Sequence, residues 1–193
     1  MKGDALNKGI SSIYKMCLKY TSMCAFLAIL SLSGAYKITP NVIEGVPGFL
    51  NITTAPFIKI GSNYYFIETK GLNWFAAFES CKQIQADLIA FESLEELQLI
   101  SQYLIYNNMA AYYWTSGTDL AKQDKHVWFS NGQPVASDLW RKGEPNNENN
   151  EEHCDELKIE PGVGVGLNDR RCSYIDGYIC KAPQPKTASF IVW

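Results

Sequence analysis

Between residues 57 and 106 the period of the apolar positions changes. "FIKIGSNYYFIETKG", residues 57–71, alternates apolar and polar positions around Gly61-Ser62-Asn63 and predicts two short strands joined by a turn. In "NWFAAFESCKQIQ" the spacing becomes three and four: Trp74, Ala77, Phe78, Cys81 and Ile84 share one face, with Asn73 placed to cap a helix. Cys81 lies on that face, so a bridge from it would tie the helix into the core. "SLEELQLISQYLI" opens with Ser93 and Glu96 in capping-box spacing, and Leu94, Leu97 and Ile100/Ser101 begin a second amphipathic helix. After it, "YYWTSGTD", "KHVWFSNGQPV", "HCDELKI", "VGVGLND" and "GYICK" read as short strands separated by turn residues. Two early helices followed by many short strands predict an α+β domain, with Trp114, Trp128 and Trp140 in its core. The stretch from 130 to 153 is too long and too polar for an ordinary connection, and such loops are usually functional or disordered.

The beginning of the chain has a different character. Lys2, Lys8, Lys15 and Lys19 precede an apolar run, Met23–Ala35, that ends in small residues. This pattern predicts a signal peptide over 1–35 and a secreted, extracellular product with no membrane attachment after cleavage. The run is short of the roughly 20 residues a spanning helix needs, although the long basic segment before it leaves an uncleaved signal anchor as the alternative. Residues 36–56 carry Pro40, Pro47 and Pro56 without periodicity and are read as a linker or arm. The domain is expected over 57–183, with a tail at 184–193. No heptad repeat for assembly is visible.

Composition narrows the chemistry. The 193 residues are 47% hydrophobic with a net charge of −3, which fits one folded domain and gives no reason to expect a nucleic-acid partner. Of six cysteines, Cys17 and Cys24 fall in the signal segment, leaving Cys81, Cys154, Cys172 and Cys180. An even number in an oxidising compartment predicts two disulfides, and four cysteines allow three pairings. A zinc site competes poorly, since no Cys-x-x-Cys pair is present and His153 is the only imidazole near the later cysteines. Asn51-Ile52-Thr53 is an acceptor sequon for glycosylation.

"EPNNENNEE", residues 144–152, then raises a choice between a solvated acidic loop and a set of oxygen ligands. Glu144, Asn146 and Glu152 supply three hard donors, and Asn168-Asp169, just before Cys172, supplies two more. Carboxylates and amides without thiolate or imidazole are calcium chemistry.

Taken together, Cys81, "YYWTSG" at 112–117, "SDLWRKGEPN" at 137–146, "EHC" at 152–154, "LNDRRC" at 167–172 and "YIC" at 178–180 resemble a C-type lectin domain. The likeness is to the short, secreted, invertebrate-like form and runs from Ile60 to Lys181. It implies a double-loop fold with the pairings Cys81–Cys180 and Cys154–Cys172. It also implies calcium ligands at Glu144, Asn146, Glu152, Asn168 and Asp169, and a cis peptide before Pro145. Leu167 stands where the family often has tryptophan, a departure that concerns packing. A second calcium site would need carboxylates where this chain has only Asp119 beside Gln123, Asn147 and His153, so one ion is expected.

The same resemblance implies sugar binding through the ion. Neighbouring hydroxyls would donate to Glu144 or Glu152 and accept from the amides of Asn146 or Asn168. The Glu-Pro-Asn order points to mannose-, N-acetylglucosamine- or fucose-type terminal sugars on cell-surface or microbial glycans, with galactose not excluded. Single-site binding would be weak, so a homo-oligomer would help. Glu144 and Glu152 as a glycosidase pair is the enzymatic alternative, but carboxylates held by a cation make poor general acids, and no nucleophile arrangement accompanies them. The stronger rival is a lectin-like domain that binds protein and uses calcium only to order its loops. Arg141, Lys142 and Arg170 are expected to balance charge rather than to read an anionic glycan. Asn147 and residues 148–151 are expected to be the solvated part of the loop.

Overall fold

The computed structural model describes residues 39–44, 54–109 and 111–191, so the expected signal segment and the sequon at Asn51 lie outside the described residues. The chain divides into two units, the larger spanning Glu44–Thr187. Separately, β1 (Thr39–Glu44) and β10 (Lys186–Ile191) pair as a two-stranded sheet within stretches expected to be an arm and a tail. Thr39, Val42, Ile43, Thr187 and Ile191 supply the β-branched residues that favour strands.

The larger unit is built on β2 (Ile58–Ile60), β3 (Asn63–Leu72), β5 (Tyr112–Thr118), β7 (Cys154–Glu160), β8 (Gly164–Arg170) and β9 (Asp176–Lys181). Their order is β2-β3-β9-β5-β7-β8, with β4 (Asp87–Leu88) on β9 and β6 (Val127–Trp128) on β5. All pairs are antiparallel except β5 with β9. With the helices α1 (Trp74–Gln83) and α2 (Leu94–Tyr106), this is the expected α+β arrangement.

Alternation along the central strands divides the core into two clusters. Tyr113 and Ile179 join Leu97, Ile100, Leu104 and Leu157, while Trp114, Tyr178 and Cys180 join Trp74, Ala77 and Cys81. The Asn73 side chain accepts from Ala76 N at 2.9 Å and starts α1, whose buried face is locked to β9 by Cys81–Cys180. Trp114 Nε1 donates to Leu72 O at 2.8 Å, so this wholly buried indole keeps a hydrogen bond. At α2, Ser93 Oγ accepts from Glu96 N at 3.3 Å, but the reciprocal half of the capping box is absent. Glu96 instead accepts from Glu92 N and Tyr65 and pairs with Lys181, because its carboxylate is drawn to the sheet.

One polar knot interrupts this core. Asp155 is wholly buried, and its Oδ1 lies 2.7 Å from His126 Nδ1. His126 Nε2 stands 3.8 Å from Asp119 Oδ2, and Asp119 Oδ1 lies 2.8 Å from His153 Nδ1. Burial raises the Asp155 carboxyl to about 6 although His126 pulls it down. Burial opposes charge on His126, but the hydrogen bond to Asp155 and the charges of Asp155, Asp119 and Asp169 outweigh it, and the net shift is upward. Gly117 lies against Asp155: a Cβ there would meet Oδ2 at 2.1 Å.

Gly117→Ala should therefore cost about 1–3 kcal/mol in urea unfolding, by overpacking a site that has no flexible neighbour to yield. His126→Ala should cost roughly 3 kcal/mol at neutral pH, by leaving Asp155 as an unpaired buried carboxylate. Asp155 rises from its ordinary 3.8 to about 6, so its ionisation penalises the fold above pH 6 and the penalty is relieved as pH falls toward 4. His126 is raised above 6.5, so its contribution is complete below 6.5 and is lost as pH rises through its raised value. Calcium-free protein should then have a higher urea midpoint near pH 6 than near pH 8, and His126→Ala should reduce that difference. A flat midpoint across this range would remove the knot from the stability of the domain.

Candidate functional site

The long loop is fastened to β8 before it reaches the acidic run. Trp140 bridges Leu167, and Arg141 N donates to Leu167 O at 3.0 Å. Gly166, at φ 149°, permits this crossing, since a Cβ there would lie 3.1 Å from both Arg141 N and Leu139 O. The loop then makes its expected cis peptide between Glu144 and Pro145. Asn146 N and Asn147 N both donate to the Asp169 carboxylate, at 3.0 and 2.6 Å. Asn147, Asn149 and Asn150 have φ of 44°, 58° and 58°, a left-handed backbone that asparagine tolerates better than most residues. Much of the amide richness of this stretch thus serves the turn.

Asn147 does more than the solvated role expected of it. Its Oδ1 accepts from Glu152 N at 3.1 Å, and Glu152 Oε2 accepts from Glu148 N at 3.3 Å, folding the loop back toward β7. Residues 148–151 are exposed, as expected, and Glu151 pairs with Arg171. The Cys154–Cys172 disulfide closes the frame, and with Cys81–Cys180 it engages all four cysteines expected to remain after signal cleavage. No thiolate is left among them for zinc.

Around Asp169, near the end of β8, the fold gathers Glu144, Asn146 and Glu152 of the loop, while Asn168 precedes Asp169 on the strand. Asp169 is wholly buried at the centre. Burial raises the Glu144 carboxyl, and the neighbouring Asp169, by charge and hydrogen bond, and Glu152 raise it further. Glu152 is also raised, first by burial and then by Asp169 and Glu148, against the pull of Glu148 N–H and Arg170. Glu144 Oε2 is buried without a hydrogen-bond partner. Among the described residues, no group of three or more His, Cys, Asp and Glu side chains is arranged to hold a metal by itself. A cation here would therefore also draw on the amide oxygens of Asn146 and Asn168.

The amide hydrogens of Asn168 are already engaged. Its Nδ2 donates to Glu156 Oε1 at 3.1 Å and to Asp169 O at 2.6 Å, which occupies both amide hydrogens. The amide of Asn146, by contrast, is exposed. Glu156 is itself wholly buried, and burial raises it to about 8 against the opposing charge of Arg170. Arg170 Nη1 lies 3.3 Å from Glu156 Oε1, its Nε lies 3.3 Å from Asp176 Oδ2, and its guanidinium lies over the Tyr112 and Tyr174 rings. Arg141 pairs with Glu160 at 2.6 Å. Both arginines are engaged in ion pairs, in keeping with their expected charge-balancing role.

Glu156, Asp155 and His126 were not legible as site neighbours. The only sequence signal was acidic residues inside a strand pattern, "HCDELKI", and a histidine 27 positions upstream of His153. In the region of the weak second ion site, Asp119 is buried and engaged by His153 and by Asp124 N, while Gln123 is exposed.

Comparison with known proteins agrees with this fold. The lectin C-type domain family model matches residues 70–182. C-type lectin 37Da of Drosophila melanogaster is 38% identical over 166 residues, covering 83% of this chain and 89% of its own. C-type lectin 37Db of the same organism is 32% identical over 124 residues, covering 64% and 80%. Among solved structures, the mouse scavenger receptor C-type lectin carbohydrate-recognition domain superposes with a TM-score of 0.60 at 22% identity, covering 69% of this chain and 100% of that one. CEL-I, a C-type lectin from Cucumaria echinata, gives 0.59 at 21%, covering 70% and 100%. A calcium-independent type II antifreeze protein gives 0.59 at 21%, covering 69% and 96%, so the fold alone does not specify an ion. The chain belongs to the C-type lectin domain family.

Proposed function

We propose that Glu144, Asn146, Glu152, Asn168 and Asp169 hold one calcium ion, and that a secreted protein uses this site to bind terminal mannose-, N-acetylglucosamine- or fucose-type sugars on cell-surface or microbial glycans. The observation that carries the reading is the gathering of Glu144 and Glu152 around buried Asp169, with one Glu144 oxygen buried and unpartnered. Clustered carboxylates raise one another's proton affinity, and a hard divalent cation relieves that repulsion better than an alkyl-ammonium would.

When bound, calcium supplies a hard Lewis-acidic centre with coordination positions open to hydroxyl oxygens. The chain's own part is to orient and to discriminate. Glu144 and Glu152 accept hydroxyl protons, and exposed Asn146 donates its amide to a hydroxyl lone pair. Asp169 braces the loop through Asn146 N and Asn147 N, so that the loop donors and the strand donors stay in register.

Chelation should abolish retention of residues 36–193 on mannose-agarose, and Asp169→Ala should weaken calcium binding by roughly 10–100-fold in calorimetry. Competition by free mannose, N-acetylglucosamine, fucose and galactose orders the sugars. Binding to a glycoprotein that persists in chelator, or that ignores all four sugars, would favour the protein-ligand reading instead. Glu144 and Glu152 are both raised above their ordinary 4.5, so protons compete for these oxygens at a higher pH than for exposed carboxylates. Calcium and mannose affinity should accordingly fall together between pH 7.5 and 5; mannose binding that holds steady over this range would sink direct coordination.

A further inference from the structure

Glu156 is a carboxyl that the fold buries completely and only partly satisfies. It sits in β7 directly opposite Asn168 of β8, so the pairing of the two strands places both side chains on one face. Its Oε1 receives Asn168 Nδ2 at 3.1 Å and Arg170 Nη1 at 3.3 Å, while its Oε2 is buried without a hydrogen-bond partner. An apolar side chain would fill such a strand position at lower cost, since desolvating a carboxyl is unfavourable unless its oxygens are well paired. What this carboxyl does, and an apolar residue cannot, is accept from an amide.

That amide belongs to Asn168. A side-chain amide offers one oxygen and two N–H groups, and an end-for-end rotation exchanges them. The cage needs the oxygen, because a cation is repelled by N–H. With one Asn168 hydrogen on Glu156 and the other on Asp169 O, Oδ1 is the polar atom left for the cage. We propose that Glu156, held by Arg170, is a positioning residue that fixes the Asn168 amide with its oxygen presented to the cation. The inference rests on the calcium reading above for its purpose, while the contact itself is a property of the ion-free protein. Arg170 is steadied in turn by Asp176 at 3.3 Å and by the rings of Tyr112 and Tyr174, 5.0 and 4.4 Å away. Partners that orient metal ligands commonly matter to affinity almost as much as the ligands do.

The test uses the full secreted chain and two readouts. In calcium-free wild-type protein, both side-chain amide protons of Asn168 should exchange with water more slowly in NMR than those of exposed Asn149 and Asn150. The protection of the proton that Glu156 accepts should be lost in E156L and kept in E156Q, which retains an acceptor oxygen. In calorimetry without sugar, E156L should bind calcium about 10–100-fold more weakly than wild type, with E156Q near wild type. The thermal midpoint of E156L in chelator should stay close to that of wild type, which separates positioning from folding. Asn168 protons that exchange as fast as exposed ones in wild type overturn the proposal without any variant, as does an E156L that binds calcium with wild-type affinity. A wild type that takes up no calcium overturns the cage reading and this inference together; a wild type that binds calcium alongside an unaffected E156L overturns this inference alone.

Discussion

The site depends on the antiparallel register of β7 against β8. That register sets Asn168 opposite Glu156, Asp169 opposite Asp155, and Arg170 opposite Cys154. Because side chains alternate along a strand, one pairing decides both faces at once. A slip of one residue would send Asn168 to the His126 side and Asp169 to the Arg170 side. The Cys154–Cys172 bridge closes the span that holds both strands, and the Trp140–Leu167 bridge brings the long loop onto the same edge.

The register has an electrostatic cost that the surroundings offset. Asp155 and Asp169 face each other across the strand pair, an arrangement that destabilises when both are charged. The fold answers differently on the two sides: Asp155 is met by His126, and Asp169 by two backbone N–H groups of the loop. The same negative density that strains the ion-free domain makes the loop side attractive to a cation. A cation held there would couple stability to its binding, since whatever neutralises Asp169, Glu144 and Glu152 also relieves the knot behind them.

Much of the fold was legible from periodicity. The three-to-four spacing of Trp74, Ala77 and Cys81, and the Ser93 cap with Leu97 and Ile100, reported helices because one face of each is buried against the sheet. Short strands were visible as pieces, but β6 formed only over Val127–Trp128 of the longer segment expected. Residues after Trp128 go instead into turn hydrogen bonds and an isolated bridge between Val127 and Pro134. Glu96 shows where local logic was overridden: its capping-box spacing was right, yet Tyr65 and Lys181, brought from distant strands, took the carboxylate.

By itself, the sequence determined the α+β class, the helix caps, the oxidised cysteine frame and the residue types of the proposed donors at Glu144, Asn146, Glu152, Asn168 and Asp169. These are matters of residue type and of spacing within a single element. Only the tertiary structure decided which donors are free. It turned Asn168's hydrogens to Glu156 and Asp169 O, gave the Asp169 carboxylate to Asn146 N and Asn147 N, and set His126 beside Asp155. Those outcomes hang on strand register and burial, which are fixed by contacts between residues far apart in the chain. Burial also changes what a carboxyl is: on the surface it is solvated charge, and within this sheet it becomes an acceptor that must be paired or left wanting.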